Sequence, residues 1–500
     1  MNYLFDLIAG KIADSSKTFI ETETGAKITY GQMLSASARY ANALVAAGVE
    51  PGDRVAVQME KSPAVLFIYL ACLRAGAIFL PLNTAYTPHE VGYFLGDARP
   101  KVFVCDPAWA EAHAPAAKEA GALILTHGVG MEGELFERAK ASPETFANVA
   151  RDKNDLAAIL YTSGTTGRSK GAMLSHDNLA SNTLTLVDYW RFTSDDILVH
   201  ALPVYHTHGL FVATNCVLLS FASMIFLPKF SAPQVLQTLP RATVLMGVPT
   251  FYTRLLEEPG LTREACQNMR LFVSGSAPLL AETHRAFREK TGHAILERYG
   301  MTETNMNTSN PYDGDRVAGT VGFPLPGVSL RVVDPDTGED VSDGEIGMIE
   351  VKGPNVFRGY WQMPEKTAAE FRPDGFFITG DLGRIDENGY VHIVGRGKDL
   401  IISGGLNIYP KEVEGEIDSL AGVVESAVIG LPDADFGEAV VAVVVREKGA
   451  ALTEDDIRAA LAGRLAKFKQ PKRICFVDAL PRNTMGKVQK NILREAYAKG

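Results

Sequence analysis

Cysteine is scarce and scattered. The 500 residues hold five, Cys72, Cys105, Cys216, Cys266 and Cys475, and none forms a C-x-x-C pair. That excludes a disulfide framework and a zinc ribbon, and reads as reduced thiols of a cytoplasmic protein. A basic surplus is also missing: Lys and Arg number 49 against 59 Asp and Glu, a net charge of −10, and no basic run is present. Generic polyanion binding, and with it a nucleic-acid partner, is therefore not expected, although a few cations in one pocket can still hold a small anion. Long apolar runs are nearly absent. The stretch 209–227, GLFVATNCVLLSFASMIFL, is uncharged but broken by Thr214, Asn215, Ser220 and Ser223 and followed by Pro228. It predicts a buried helix running into a buried strand, not a membrane span. The opening MNYLFDLIAGKIADSSK alternates acidic and basic residues without an apolar signal core, so a cytoplasmic location is expected. No repeat and no low-complexity tract is visible.

What is present is ordinary for a globular chain, with 46% apolar and 22% charged residues over a length that predicts more than one domain. Short apolar strands alternate with helical patterns through the first half: RVAVQM (54–59), the helical LFIYLACLRAGA (66–77), KVFVCD (101–106), AAILYT (157–162), TVLMGV (243–248) and LFVSG (271–275). This predicts an α/β fold of parallel sheets covered on both faces. After about Asp313, glycine-rich turns (DPDTGED, DENGY) separate SLRVV, GMIEV and YVHIV, and Asn388-Gly389 signals a hairpin, which predicts a small antiparallel barrel or sheet closing the large domain. A smaller α+β module follows. Pro410 opens a helix with Val413, Ile417 and Leu420 on one face, VESAVIG and AVVAVVV read as paired strands, and Thr453 to Asp456 reads as a capping box. The expected domains are 1–395, a hinge at 396–399, and 400–500.

The strongest local signal is YTSGTTGRSKG (161–171), directly after a predicted buried strand. Hydroxyls, backbone N–H groups and glycines in succession, closed by Lys170, suit phosphate oxygens. The spacing is not that of a Walker A loop. This segment resembles the phosphate-loop signature of the acyl-adenylate-forming superfamily, and further motifs of that superfamily follow in order: LPVYHTHG (202–209), VSGSAPL (273–279), ERYGMTET (297–304), ITGDLG (378–383), GRGKDLIISGG (395–405) and PRNTMGKVQK (481–490).

The resemblance implies activation of a carboxylate with MgATP to an acyl-AMP, then transfer to the thiol of coenzyme A. It implies that Thr162, Ser163, Gly164, Thr165, Thr166, Gly167 and Lys170 cradle phosphates, and that Glu303 with Thr162 helps hold Mg²⁺. Thr302 would touch the α-phosphate. Ser276, Ala277, Arg298, Tyr299, Gly300 and Met301 would border the nucleotide and the acyl pocket, and Asp381 with Arg396 would take the ribose. Lys487, on a loop of a mobile C-terminal domain, would be the catalytic cation. Lys398 matches the hinge, and Ser403, Gly404 and Gly405 would wall a CoA channel after rotation. Acetylation of Lys487 would remove its charge, which makes a lysine acetyltransferase and deacetylase candidate partners.

The acyl group is a question of charge. A dicarboxylate needs a cation to meet its distal end, because a buried unpaired carboxylate is costly. Candidates are Arg298, Arg254 and His206, with Ser276 beside them; Arg285 is expected on a solvated face. The run ERYGMTETNMNTSNPYDGDR resembles malonyl-CoA synthetases more closely than acetyl-, aryl- or long-chain relatives, which implies malonate as substrate and methylmalonate as a second. The alternatives are a synthetase for another short-chain or aryl acid, a carrier-loading module, and a non-catalytic nucleotide-binding protein. A monomer or dimer is expected.

Overall fold

The structure, a computed structural model, describes residues 1–162, 169–403, 406–433, 436–462, 464–465, 467–483 and 486–498. The described chain divides into two compact units, Met1–Ser329 with Lys352–Phe377, and Leu330–Val351 with Ile378–Gly500.

The first unit is built on two sheets. In the six-stranded sheet the order is Leu123–Thr126, Val102–Cys105, Arg54–Gln58, Ile78–Pro81, Leu156–Thr162, Lys170–Ser175, and only the last pair is antiparallel. The nine-stranded sheet has a parallel centre of Thr18–Thr22, Ser223–Phe226, Ile197–His200, Val244–Gly247, Leu271–Ser274 and Leu296–Met301, with antiparallel strands at its ends. The sequence reasons are local. Strands such as Val102–Cys105 and Leu271–Ser274 are buried throughout, as parallel strands covered by helices must be. The helix Pro63–Ala75 starts with Pro at its first turn and ends at Gly76, whose φ of 70° lies in the left-handed region. Tyr30–Ala46 begins with a Thr29–Gln32 capping box. The run 209–227 forms the expected buried helix and strand, with a π-helical stretch His208–Thr214 leading into Asn215–Ser220 and then Ser223–Phe226. Among the described residues no helix is long and apolar enough to cross a membrane. All five cysteines are free, four of them buried.

Most of a four-stranded sheet, in the order Ser329–Val333, Gly347–Lys352, Phe377–Ile385, Val391–Arg396, falls in the second unit. The hairpin at Asn388-Gly389 is present with a longer loop than its two-residue signal suggests. The Asp386 carboxylate accepts from the backbone N–H of Asn388 and Tyr390 and from His392 Nε2, which holds 386–390 outside the ladder. In the α+β module the helix Pro410–Asp418 buries Val413 and Ile417, and Val423–Asp433 pairs antiparallel with Gly437–Arg446. The capping box forms as expected, Thr453 and Asp456 exchanging backbone and side-chain bonds ahead of Glu454–Ala462.

The compact units divide earlier than residue 396. Strand Val391–Arg396 is tied to the module that follows it: Lys411 Nζ donates to the Ile393 carbonyl at 2.8 Å, and Arg494 pairs with Asp399 at 2.7 Å.

Candidate active site

Thr162 and Lys170 face each other at the ends of the antiparallel pair Leu156–Thr162 and Lys170–Ser175. Ser163, Gly164, Thr165, Thr166 and Gly167 lie outside the described residues, as do Gly404 and Gly405. The Lys170 ammonium pairs with Glu370 at 3.2 Å and lies 4.1 Å from the centre of the Tyr360 ring. The Tyr360 hydroxyl is 2.7 Å from Glu370 Oε2 and 3.0 Å from Glu303 Oε1. A continuous polar chain therefore runs from Lys170 through Glu370 and Tyr360 to Glu303. Burial works to raise the Glu370 carboxyl, yet hydrogen bonds from Lys366 and Tyr360 and the Lys170 charge hold it below its usual range. Burial, then the adjacent Glu303 and Glu370, push the Tyr360 phenol far upward, so it remains a neutral donor.

Glu303 and Thr302 occupy the turn between Leu296–Met301 and Asn305–Ser309. Gly300 permits that turn, since a Cβ there would fall 1.9 Å from the Asn305 carbonyl oxygen. Tyr299, Gly300 and Met301 lead into it. Glu303 is 6% exposed. Its oxygens are hard donors of the kind Mg²⁺ accepts, with phosphate and water completing the shell. Among the described residues no cluster of three or more His, Cys, Asp or Glu could hold a metal by itself.

On the same strand as Tyr299, Arg298 is 3% exposed, and neither its Nε nor its Nη2 has a hydrogen-bond partner. Burial draws its guanidinium down to about 9, with Tyr252 and Glu297 opposing; it remains a cation at neutral pH. Gly275 makes room for it, because a Cβ there would meet Arg298 Cζ at 2.4 Å. The next residue, Ser276, holds a left-handed φ of 71°, a strained conformation for a residue with a side chain. Its Oγ lies 3.3 Å from His208 Nδ1. His208 is 1% exposed and its Nε2 has no partner. Burial, then the charge of Arg298, keeps that imidazole neutral. Ala277 is half-buried beside Ser276, and His206, also half-buried, accepts from the His208 backbone N–H at 3.3 Å.

The structure thus brings Arg298, Ser276 and His206 together and adds His208. Arg254, on the helix Pro249–Glu257, is exposed, in contrast to the buried Phe251, Tyr252 and Leu255 of that helix. Arg285 stands on the exposed face of Ala281–Thr291, as expected. Tyr360, Glu370 and His208 were not expected. The second histidine of YHTHG was the one legible signal for His208, and R-G-Y-W offered nothing that pointed to Glu303.

In the second unit Asp381, 5% exposed, pairs with Arg396 at 2.8 Å from the facing register position, and Arg396 also donates to the Thr379 carbonyl at 3.0 Å. Lys398 is exposed in the short turn Gly397–Asp399, and Ser403 is buried at the end of Ile401–Ser403. Lys487 is exposed; its N–H donates to Asn483 Oδ1 at 2.9 Å, and the Asn483 N–H donates to the Lys487 carbonyl at 2.9 Å. Arg482 pairs with Glu425, and Lys490 with Glu414.

Comparison with known proteins gives these features a common setting. Residues 13–361 match the model of the AMP-binding enzyme family, and residues 412–487 match that of the AMP-binding enzyme C-terminal domain. A feruloyl-CoA synthase from Amycolatopsis sp is 37% identical over 95% of this chain and 94% of its own length. The mitochondrial malonate–CoA ligase of Mus musculus is 35% identical over 90% of this chain and 82% of its own. The crystal structure of ATP-bound MatB from Rhodopseudomonas palustris superposes with a TM-score of 0.98 at 64% identity, covering 99% of both chains. The first match holds Lys170, Glu303 and Tyr360, the second ends at Lys487, and the chain belongs to the AMP-binding enzyme family.

Proposed function

We propose that the protein is an AMP-forming malonate–CoA ligase, which converts ATP, malonate and CoA to AMP, diphosphate and malonyl-CoA through a malonyl-adenylate. The observation that carries the choice of acid is Arg298. A buried guanidinium with two unpartnered nitrogens is costly by about 3–5 kcal/mol unless an anion meets it. In the tautomer in which Ser276 Oγ donates to His208 Nδ1, the buried His208 Nε2 carries the ring proton and is a third donor. A pocket of donors around a fixed positive charge suits the distal carboxylate of a short dicarboxylate. It opposes an aryl or fatty acyl chain, which would leave those donors stranded. Methylmalonate adds one methyl group and keeps both carboxylates.

In the first half-reaction an oxygen of the proximal carboxylate attacks the α-phosphorus and the bond to diphosphate breaks. Two anions must approach, so the residues' work is to cancel charge and align. Thr162, Lys170 and the loop between them hold the phosphates, Thr302 the α-phosphate, and Asp381 with Arg396 the ribose. Glu303, with the Thr162 hydroxyl, would hold Mg²⁺, which supplies charge neutralisation on the phosphate oxygens. Lys487 stabilises the charge that builds between carboxylate and phosphate. In the second half-reaction the CoA thiolate attacks the acyl carbonyl and AMP leaves. Rotation about Lys398 withdraws Lys487 and brings Ser403, Gly404 and Gly405 to the thiol's path. Acetylation of Lys487 would stop the first step alone.

The test is a panel of mono- and dicarboxylates with MgATP and CoA, the thioester being identified by mass. Malonyl-CoA is expected as the major product and methylmalonyl-CoA as a lesser one. A preference for butyrate, ferulate or a fatty acid would refute the dicarboxylate reading.

A further inference from the structure

Lys61 is a half-buried lysine that none of the motifs includes. It follows the strand Arg54–Gln58 of the six-stranded sheet and reaches the ends of two strands of the nine-stranded sheet. Its Nζ lies 3.0 Å from His200 Nδ1, 2.7 Å from the His200 carbonyl and 2.7 Å from the Leu227 carbonyl. The Phe226 ring lies 4.3 Å away. Burial holds the Lys61 amine well below its ordinary range, and its three neighbours offer one acceptor for each N–H of the charged form.

The contact has a consequence at His200. The Gly209 carbonyl, 2.9 Å from His200 Nε2, can only accept, so the ring proton resides on Nε2 and Nδ1 accepts from Lys61. The Thr214 hydroxyl donates to the same carbonyl oxygen at 2.9 Å. Two side-chain donors on one carbonyl compete for an acceptor that an α-helix would use in its own ladder. The stretch His208–Thr214 is accordingly wound as a π-helix, a departure that needs a local cause. Gly209 is obligatory in it, since a Cβ would fall 2.0 Å from the Pro203 carbonyl oxygen. The first residue of this π-helix is His208, the imidazole against Ser276 and within reach of the Arg298 charge.

We infer that Lys61 is a positioning residue for acid selection. By bonding His200 at Nδ1 and at its carbonyl it anchors the π-helix that holds His208 beside Ser276 and Arg298, and so sets the pocket for the distal carboxylate. The inference rests on the malonate reading of that pocket, and goes beyond it in placing a determinant of specificity outside the pocket.

Lys61→Met removes the ammonium and keeps much of the side-chain volume. Thr214→Val removes one donor from the Gly209 carbonyl and leaves Lys61 in place. For each variant, kcat/KM is measured for malonate and for butyrate, together with the KM for ATP and a thermal melt. Lys61→Met is expected to lower the malonate-to-butyrate ratio about tenfold, and Thr214→Val about threefold, with the KM for ATP within about twofold. An unchanged ratio in a folded variant, or equal losses with both acids, would overturn the inference; should Lys61→Met fail to fold, Thr214→Val decides alone. Failure of the malonate reading itself is seen separately, as an unaltered enzyme that uses malonate and butyrate equally.

Discussion

Lys487→Ala is expected to slow malonate-dependent adenylation by about 10²–10³ while leaving thioester formation from supplied malonyl-AMP nearly unchanged. The magnitude is that of removing one preorganised charge from the place where negative charge develops. The Lys487 N–H on Asn483 Oδ1, the Asn483 N–H on the Lys487 carbonyl and the pairs of Arg482 with Glu425 and Lys490 with Glu414 are all available to the alanine variant. Measuring diphosphate release and AMP release from the synthetic adenylate in parallel checks this, and equal losses in both half-reactions would contradict the assigned division of labour.

The second large effect is expected at Arg298. Arg298→Met should reduce kcat/KM for malonate on the order of 10³, because the distal carboxylate would be buried with no cation to meet it. The same change should leave butyrate turnover equal or better. It should also raise the melting temperature of the free protein, since it deletes a buried cation with two unpartnered nitrogens. A variant that loses malonate and butyrate together, or that is destabilised, would show Arg298 to be part of the scaffold. Arg254→Met, on the exposed side of its helix, is the matched control.

The candidate residues that the sequence offered are those whose signals are local: YTSGTTGRSKG, the Thr302-Glu303 pair and the Asn483–Lys487 segment each stand out within about ten residues. The strands were legible for the same reason. Val102–Cys105 and Leu271–Ser274 are short and apolar throughout, and only a covered parallel sheet uses such strands freely. Arg298 and Arg254 could not be separated in advance, since both stand next to motifs and burial is set by the tertiary packing. The supporting residues were not legible at all. Lys61 meets the His200 carbonyl across 139 residues and that of Leu227 across 166, while Lys170 meets Glu370 across 200. Nothing in the sequence around Met59-Glu60-Lys61-Ser62 distinguishes this lysine from a solvated one. The bonds from Lys411 and Arg494 tie the strand Val391–Arg396 and its turn to later sequence, which the composition change near 396 does not show.

Exchange of labelled diphosphate into ATP, with Mg²⁺ present and CoA left out, isolates the step in which the carboxylate meets the α-phosphate. Adding malonate to the unaltered protein should start that exchange, and butyrate at equal concentration should support far less. No exchange with malonate, or the same rate with butyrate, would contradict the account.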